Sequence, residues 1–303
     1  MPEGAREFVG YGRNEPAVYW PNGARVAVSL VINFEEGAEQ TPLYGDSQAD
    51  TMRERFAVPA GERDLRTESF FEYGSRSGFW RLLDVLDKNR VKCTYFVSGM
   101  AVEQNPIAAK EITGAGHEPC GHGYRWGPQY TLTIDQERQH INKAVQAIEQ
   151  ATGERPRGWN SRGPSAHTRQ LLVEEGGFLY DSESHAEDLP YFVDVSHRKW
   201  LTIPYSFETN DMKFFRAPGH AEPEDFLAQL TSAFDCLYEE GREHPRLLSV
   251  GLHQRYSGTP AGASAVDEFI QYCHRVPDIW FARRIDIARW WLENFNDLPA
   301  FAS

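Results

Sequence analysis

The residues best suited to chemistry form four short groups. Asn33-Phe34-Glu35-Glu36-Gly37 sets two carboxylates side by side at the end of an apolar run. Gly116-His117-Glu118-Pro119-Cys120-Gly121-His122-Gly123-Tyr124-Arg125-Trp126 supplies two histidines within six residues. Trp159-Asn160-Ser161-Arg162-Gly163-Pro164 carries a cation just after a strand, and Leu247-Leu248-Ser249-Val250-Gly251-Leu252-His253 closes a second apolar run with an imidazole. A lone Glu-Glu pair is more often an exposed acidic turn. At the end of a buried strand, however, one acid can serve as a base while its neighbour binds a metal or holds the array. A histidine in the same position is suited to act as acid, base or ligand. An arginine there can orient a carboxylate or neutralise an oxyanion. His117 opens its strand rather than closing it, so a structural role is expected for it. His122, between two glycines, is expected at the site.

The elements that must carry these groups alternate. Strands are read at Arg25–Asn33, Val91–Val97, near His117, Arg157–Asn160, Phe178–Asp181, Leu201–Pro204, Leu247–Leu252 and Ile279–Phe281. Helices are read at Gly74–Leu86, Ile107–Thr113, Ile134–Ala151, Thr168–Glu175, Pro223–Leu237, Val266–His274 and Ile285–Phe295. Short strands each followed by a helix argue for an α/β barrel of parallel strands, whose active residues sit at the strands' C-terminal ends. Residues 36–67 are polar and without period, and read as a long functional or interface loop within a single domain spanning 1–303.

Composition narrows the partners. With 303 residues, 41% hydrophobic and 25% charged, the chain can bury a sizeable core. A formal charge of −13 opposes binding to a nucleic-acid backbone. No apolar run is long enough to cross a membrane, and the opening MPEGAREFVG lacks the basic and apolar regions of a secretion signal, so a cytoplasmic location is expected. Cys93, Cys120, Cys236 and Cys273 are widely spaced, which suits free thiols rather than disulfides or a cysteine zinc site.

In order and type, Phe34-Glu35-Glu36-Gly37, Gly116-His117-Glu118 with His122, Arg162-Gly163-Pro164 and Leu252-His253 resemble the motifs of the polysaccharide deacetylase (NodB-like) family. The resemblance spans nearly the whole chain. It implies an irregular α/β barrel and, in typical members, removal of acetyl groups with a divalent metal held by one Asp and two His, an adjacent Asp as base and a late His as acid. Three positions depart from that pattern. Both aspartates are glutamates, the second metal-binding histidine is Trp126, and the aromatic after Pro164 is Ser165. A three-ligand metal site is then incomplete, so the site is expected to work without a metal, or with one held only weakly, and with no other cofactor.

Further runs resemble a branch of the family, the metal-independent allantoinases and related cyclic-imide hydrolases. These are Glu72-Tyr73-Gly74-Ser75-Arg76, Gly121-His122-Gly123-Tyr124-Arg125-Trp126, Glu174-Glu175-Gly176-Gly177-Phe178-Leu179-Tyr180-Asp181, Thr209-Asn210-Asp211-Met212 and Gly251-Leu252-His253. The segment Asn160–His167 differs from the allantoinase pattern. The branch implies hydrolysis of a cyclic amide, with Glu35 as base, Glu36 orienting water or substrate, His122 donating to the oxyanion and His253 as acid. Arg125, Trp126, Trp159, Arg162, Glu72 and Arg76 are the expected contacts to a small-molecule substrate, and a homo-oligomer is expected. The rival readings are a metal-dependent carbohydrate de-N-acetylase, a cyclic imide hydrolase, and a degenerate barrel retained for binding.

Overall fold

A computed structural model describes residues 6–51, 58–215 and 219–302. Its strands are β1 (Val26–Phe34), β2 (Thr94–Val97), β3 (Glu118–Gly121), β4 (Gly158–Trp159), β5 (Tyr180–Asp181), β6 (Tyr191–Val195), β7 (Arg198–Thr202), β8 (Arg246–His253), β9 (Ile279–Phe281) and β10 (Ala300–Ala302). They form one sheet in the order β10-β6-β7-β5-β4-β3-β2-β1-β8. From β7 through β1 to β8 the pairing is parallel, and β6 lies antiparallel on β7. β1 is central: it pairs with β8 along its length, and its other edge is shared by β9 below and β2 above. Every residue of β1 is buried, as a parallel strand covered on both faces requires.

The helices among the described residues are α1 (Leu65–Tyr73), α2 (Phe79–Asn89), α3 (Gly99–Gln104), α4 (Pro106–Gly114), α5 (Ile134–Thr152), α6 (Thr168–Glu175), α7 (Pro223–Glu240), α8 (Pro260–Cys273) and α9 (Arg284–Asn294). α2 buries Phe79, Leu82, Leu83 and Leu86, the residues whose spacing predicted it. α5 opens with a reciprocal capping box between Thr133 and Gln136 and stops at Gly153, where a left-handed φ of 79° suits glycine.

The barrel is irregular at its seam. Among the described residues no regular strand intervenes between β7 and β8; instead the Gly251 N–H donates to the Thr209 carbonyl at 2.9 Å, and Asn210 bridges to Gly251. Arg284, fully buried at the start of α9, spans the same seam. Its guanidinium donates to the Ile203 and Pro204 carbonyls and to the hydroxyls of Ser182 and Ser249.

Three expectations need correction. The 36–67 loop ends at Asp64, whose carboxylate caps α1 by accepting from the Arg66 and Thr67 N–H groups; residues 52–57 lie outside the described residues. α1 has no clean apolar stripe, so periodicity could not reveal it. The helix read from Gly74 is α1 joined to α2 through a single π-turn, Gly74–Gly78. Lastly, the strand read at Leu201–Pro204 is the second arm of a hairpin, β6 to β7, that turns on Ser196 and His197 with φ of 50° and 63°. Ser-His lacks the glycine that marks such turns in sequence.

Candidate active site

The two-residue period of a strand decides which side chains enter the barrel. In β1, Val26, Val28, Leu30, Ile32 and Phe34 pack outward with the helices, while Ala27 and Val31 belong to the interior cluster. Continuing the alternation turns Glu35 inward and Glu36 outward. In β8, Leu248, Val250 and Leu252 face outward, so His253 faces inward; in β3, Cys120 faces inward and so does His122, two residues on.

These inward side chains meet. Glu35 Oε1 lies 3.3 Å from His122 Nε2 and 3.4 Å from His253 Nε2, with all three side chains almost wholly buried. Each imidazole is fixed from behind. His122 Nδ1 lies 2.9 Å from the Asn160 carbonyl, which can only accept, so Nδ1 carries a proton. His253 Nδ1 lies 2.6 Å from Asp211 Oδ1, and the other Asp211 oxygen accepts from the His253 N–H at 2.7 Å and from the Ser257 hydroxyl at 2.7 Å.

Burial would push the Glu35 carboxyl up, but Arg255, His253 and the imidazole hydrogen bonds outweigh it and hold the group well below its usual range. Burial pulls His253 down, yet the facing carboxylates Glu35 and Asp211 lift it to about 9. At neutral pH the pair is therefore a carboxylate facing an imidazolium. Glu36 behaves oppositely: burial, partly offset by Arg255 and reinforced by the Glu35 charge, raises it to about 7.

Arg255 joins the two glutamates. Its Nη1 donates to Glu35 Oε2 at 2.8 Å and to Glu36 Oε1 at 3.2 Å. The guanidinium carbon lies 4.4, 5.1 and 4.7 Å from the ring centres of Phe71, Trp126 and Tyr256. The π-turn makes room for this arrangement: a Cβ on Gly74 would sit 2.7 Å from Glu36 Oε1 and 2.9 Å from the Arg255 backbone nitrogen. π-turns recur at such functional sites.

A divalent metal of the kind the wider family implies does not fit this donor set. Both carboxylates are engaged by one guanidinium, an indole N–H offers no lone pair at position 126, and no group of three or more His, Cys, Asp or Glu among the described residues is arranged to hold an ion.

The other expected site residues separate into those near this cluster and those apart from it. Trp126 seats Arg255 on its ring and also carries Arg162, whose guanidinium carbon is 3.8 Å from the ring centre. Arg162 and Arg125 are not free for substrate as expected: Arg162 makes two contacts to Asp50, at 3.0 and 2.9 Å, and Arg125 binds Asp46 at 2.5 Å and the Glu39 carbonyl at 2.9 Å. Both therefore pin the 38–50 segment. Trp159 is corrected outright. The strand period turns it outward, where it is fully buried against Phe178, and Asn160 takes the inward position. Glu72 and Arg76 pair with each other at 2.9 Å on the exposed surface of the α1 and π-turn segment. His117 is buried behind β3, accepts the Cys93 N–H, and is lowered to about 4 by burial.

Replacing Arg162 with Ala should therefore loosen the segment rather than the fold. We expect proteolysis within residues 38–50 to accelerate several-fold, while stability falls by about 1 kcal/mol or less because the pair is partly exposed. Unchanged cleavage would assign the segment's order to Arg125 alone.

Sequence reasoning missed Asp211, Ser257, Arg255 and Glu183. The strand-end rule applied to β5 would have found Glu183, which accepts from the Ser161 hydroxyl at 2.6 Å. Burial, opposed by that bond and aided by Asp181, raises Glu183 to about 8. Asp211 stands within Thr209-Asn210-Asp211-Met212, on the irregular seam where no strand end marks it.

Comparison with known proteins agrees with this architecture. The polysaccharide deacetylase family model matches residues 67–175. A Schizosaccharomyces pombe protein named "Putative polysaccharide deacetylase" is 36% identical over 90% of this chain and 92% of its own length. The crystal structure of a "probable Polysaccharide deacetylase" from Pseudomonas aeruginosa PAO1 is 42% identical, covers 96% of this chain and 98% of its own, and superposes with a TM-score of 0.92. A PuuE allantoinase crystal structure is 41% identical with the same coverage and a TM-score of 0.93. Similarity of that extent, from end to end in both sequence and structure, shows that the protein belongs to the polysaccharide deacetylase family of hydrolases.

Proposed function

We propose that this protein opens a cyclic amide by hydrolysis, with the hydantoin ring of allantoin, giving allantoate, as the leading substrate. The observation that carries the reading is the buried pair of Glu35 and protonated His253, backed by Asp211. The similarity to the allantoinase structure supports the choice of ring.

Ring opening requires a water placed against a carbonyl, an acceptor for its proton, donors for the developing oxyanion and an acid for the departing nitrogen. Glu35 takes the water proton. His122, with its Nδ1 proton held on Asn160, presents Nε2 to the same region and, when that nitrogen is protonated, donates to the oxyanion. His253 gives its Nε2 proton to the ring nitrogen, so that it leaves as a neutral ureido nitrogen rather than as an anion. These roles are coupled: as His253 loses its charge, one of the influences that, after Arg255, hold Glu35 acidic weakens and Glu35 becomes a better proton acceptor. Glu36, turned away behind Arg255, holds the array rather than touching the water.

The test is a panel of allantoin, hydantoin, a dihydropyrimidine, succinimide and an N-acetylated sugar oligomer, each with and without prolonged chelation. We expect turnover of allantoin or another cyclic member, changed less than about twofold by chelator. Deacetylation of the sugar alone, abolished by chelator and restored by zinc, would establish the rival favoured by the family model and the relatives' names. No turnover of any member would favour a binding protein.

A further inference from the structure

We propose that the Tyr205 hydroxyl is a further catalytic donor, set beneath Glu35 and His253 to hold the substrate's carbonyl oxygen as it becomes an oxyanion. The proposal rests on reading this cluster as a centre where water adds to a carbonyl carbon.

The place of the hydroxyl follows from strand register. Asn33 pairs with His253 across β1 and β8, and the alternation of β1 turns its side chain inward. Asn33 Nδ2 donates to Tyr205 Oη at 3.3 Å, and Asn210, the residue before Asp211, donates to the same oxygen from its Nδ2 at 3.1 Å. Position 251, two residues below His253 on the same inward side, has to be glycine here, because a Cβ on it would sit 2.3 Å from Tyr205 Oη. The ring itself is fixed: its centre lies 5.3 Å from that of Phe96, which in turn stacks on His122, and 5.5 Å from the Arg284 guanidinium carbon.

The direction of the proton follows from the other bonds of the two amides. Asn33 Nδ2 also donates to the Leu252 carbonyl at 3.0 Å, and Asn210 Oδ1 accepts the Met212 N–H at 2.9 Å, so both amides present nitrogen rather than oxygen to the phenol. A phenol oxygen that accepts twice still has its own proton to give. Among the described residues no group accepts it. Burial, opposed by the Asn33 bond and Arg284 and aided by the charges of Asp211 and Glu35, raises the phenol above its ordinary range, so the hydroxyl keeps that proton at neutral pH.

The chemistry needs such a donor. With one proton held on Asn160, a neutral His122 has none at Nε2 and can only accept there. The Nε2 proton of His253 goes to the leaving nitrogen. As water adds to the carbonyl carbon and its proton passes to Glu35, the π electrons move onto the carbonyl oxygen; Tyr205 donates a hydrogen bond to that oxygen and keeps its proton.

The experiment measures kcat and KM per folded molecule for wild type, Tyr205→Phe and a series of fluorotyrosines of rising phenol acidity placed at 205. Tyr205→Phe should lower kcat roughly hundredfold, the scale of one oxyanion donor, with KM changed less than about threefold. The fluorotyrosines should recover at least about tenfold of that loss while protonated, and along the series the basic limb of kcat should move to lower pH. A purely structural role predicts no such movement, because a phenolate accepts from two amides at least as well as a phenol. If Tyr205→Phe fails to fold, having stranded two buried amide N–H groups, the movement of the limb gives the answer alone. A fall in kcat of less than about tenfold in folded Tyr205→Phe, or a limb that stays at the wild-type pH throughout the series, overturns the proposal. The substrate is whichever member of the panel wild type hydrolyses: deacetylation of the sugar alone defeats the ring-opening reading and leaves Tyr205 to be judged on that reaction, whereas hydrolysis of no member defeats both.

Discussion

Glu35→Gln should lower turnover by roughly a hundredfold or more, the scale set by loss of a general base. The substitution keeps the side chain's size and a carbonyl oxygen facing the imidazoles, but removes the group that accepts the water proton. It also removes the largest influence raising His253, whose burial alone would lower it. The imidazolium should therefore titrate well below the wild-type value of about 9, a shift that NMR of the His253 ring can follow. Removing one partner of a buried ion pair costs about 3–5 kcal/mol; rates must accordingly be expressed per folded molecule. Turnover within about threefold of wild type would move the base to Glu36 or His122.

The second large effect is expected at His253. In His253→Asn the amide can still donate to Asp211 from near the Nδ1 position, but nothing replaces the Nε2 proton aimed at Glu35. An amide anion is a poor leaving group, so turnover should fall about a hundredfold or more even where folding is retained. pH dependence separates this role from a purely structural one. The folded value of about 9 lies above the ordinary 6.5, so the stability from the charged imidazole is complete below about pH 6.5 and is lost as pH rises through about 9. The gap in melting temperature between wild type and variant should narrow over that window. The wild-type rate should decline on the basic side near the same value, and the variant's residual rate should lack that limb. A variant that loses stability yet keeps its turnover per folded molecule would make His253 a packing residue.

Much of this site is legible in the chain because strands impose a period of two. Once β1 and β8 are recognised as buried strands, the inward direction of Glu35 and His253 and the outward direction of Glu36 follow by counting. The same count would have turned Trp159 away from the mouth and brought Asn160 to it. Arg125 and Arg162 misled for a different reason. A cation beside a strand end is equally able to bind substrate or a nearby acid, and Asp46 and Asp50 reach these two only because the polar 38–50 segment folds back over them.

By itself the sequence determined the strand and helix alternation, the type of fold and the three inward groups Glu35, His122 and His253, because burial and strand period are local properties of the chain. Tertiary structure decided the rest. Asp211 reaches His253 across the irregular seam of the barrel, and Arg255 reaches both glutamates only because two glycines of a π-turn let α1 and α2 approach the segment that follows β8. Their partners are separated by 42 residues in one case and about 220 in the other. Such pairings depend on how the sheet curls and closes, and Coulomb attraction between buried charges carries no trace in spacing or composition.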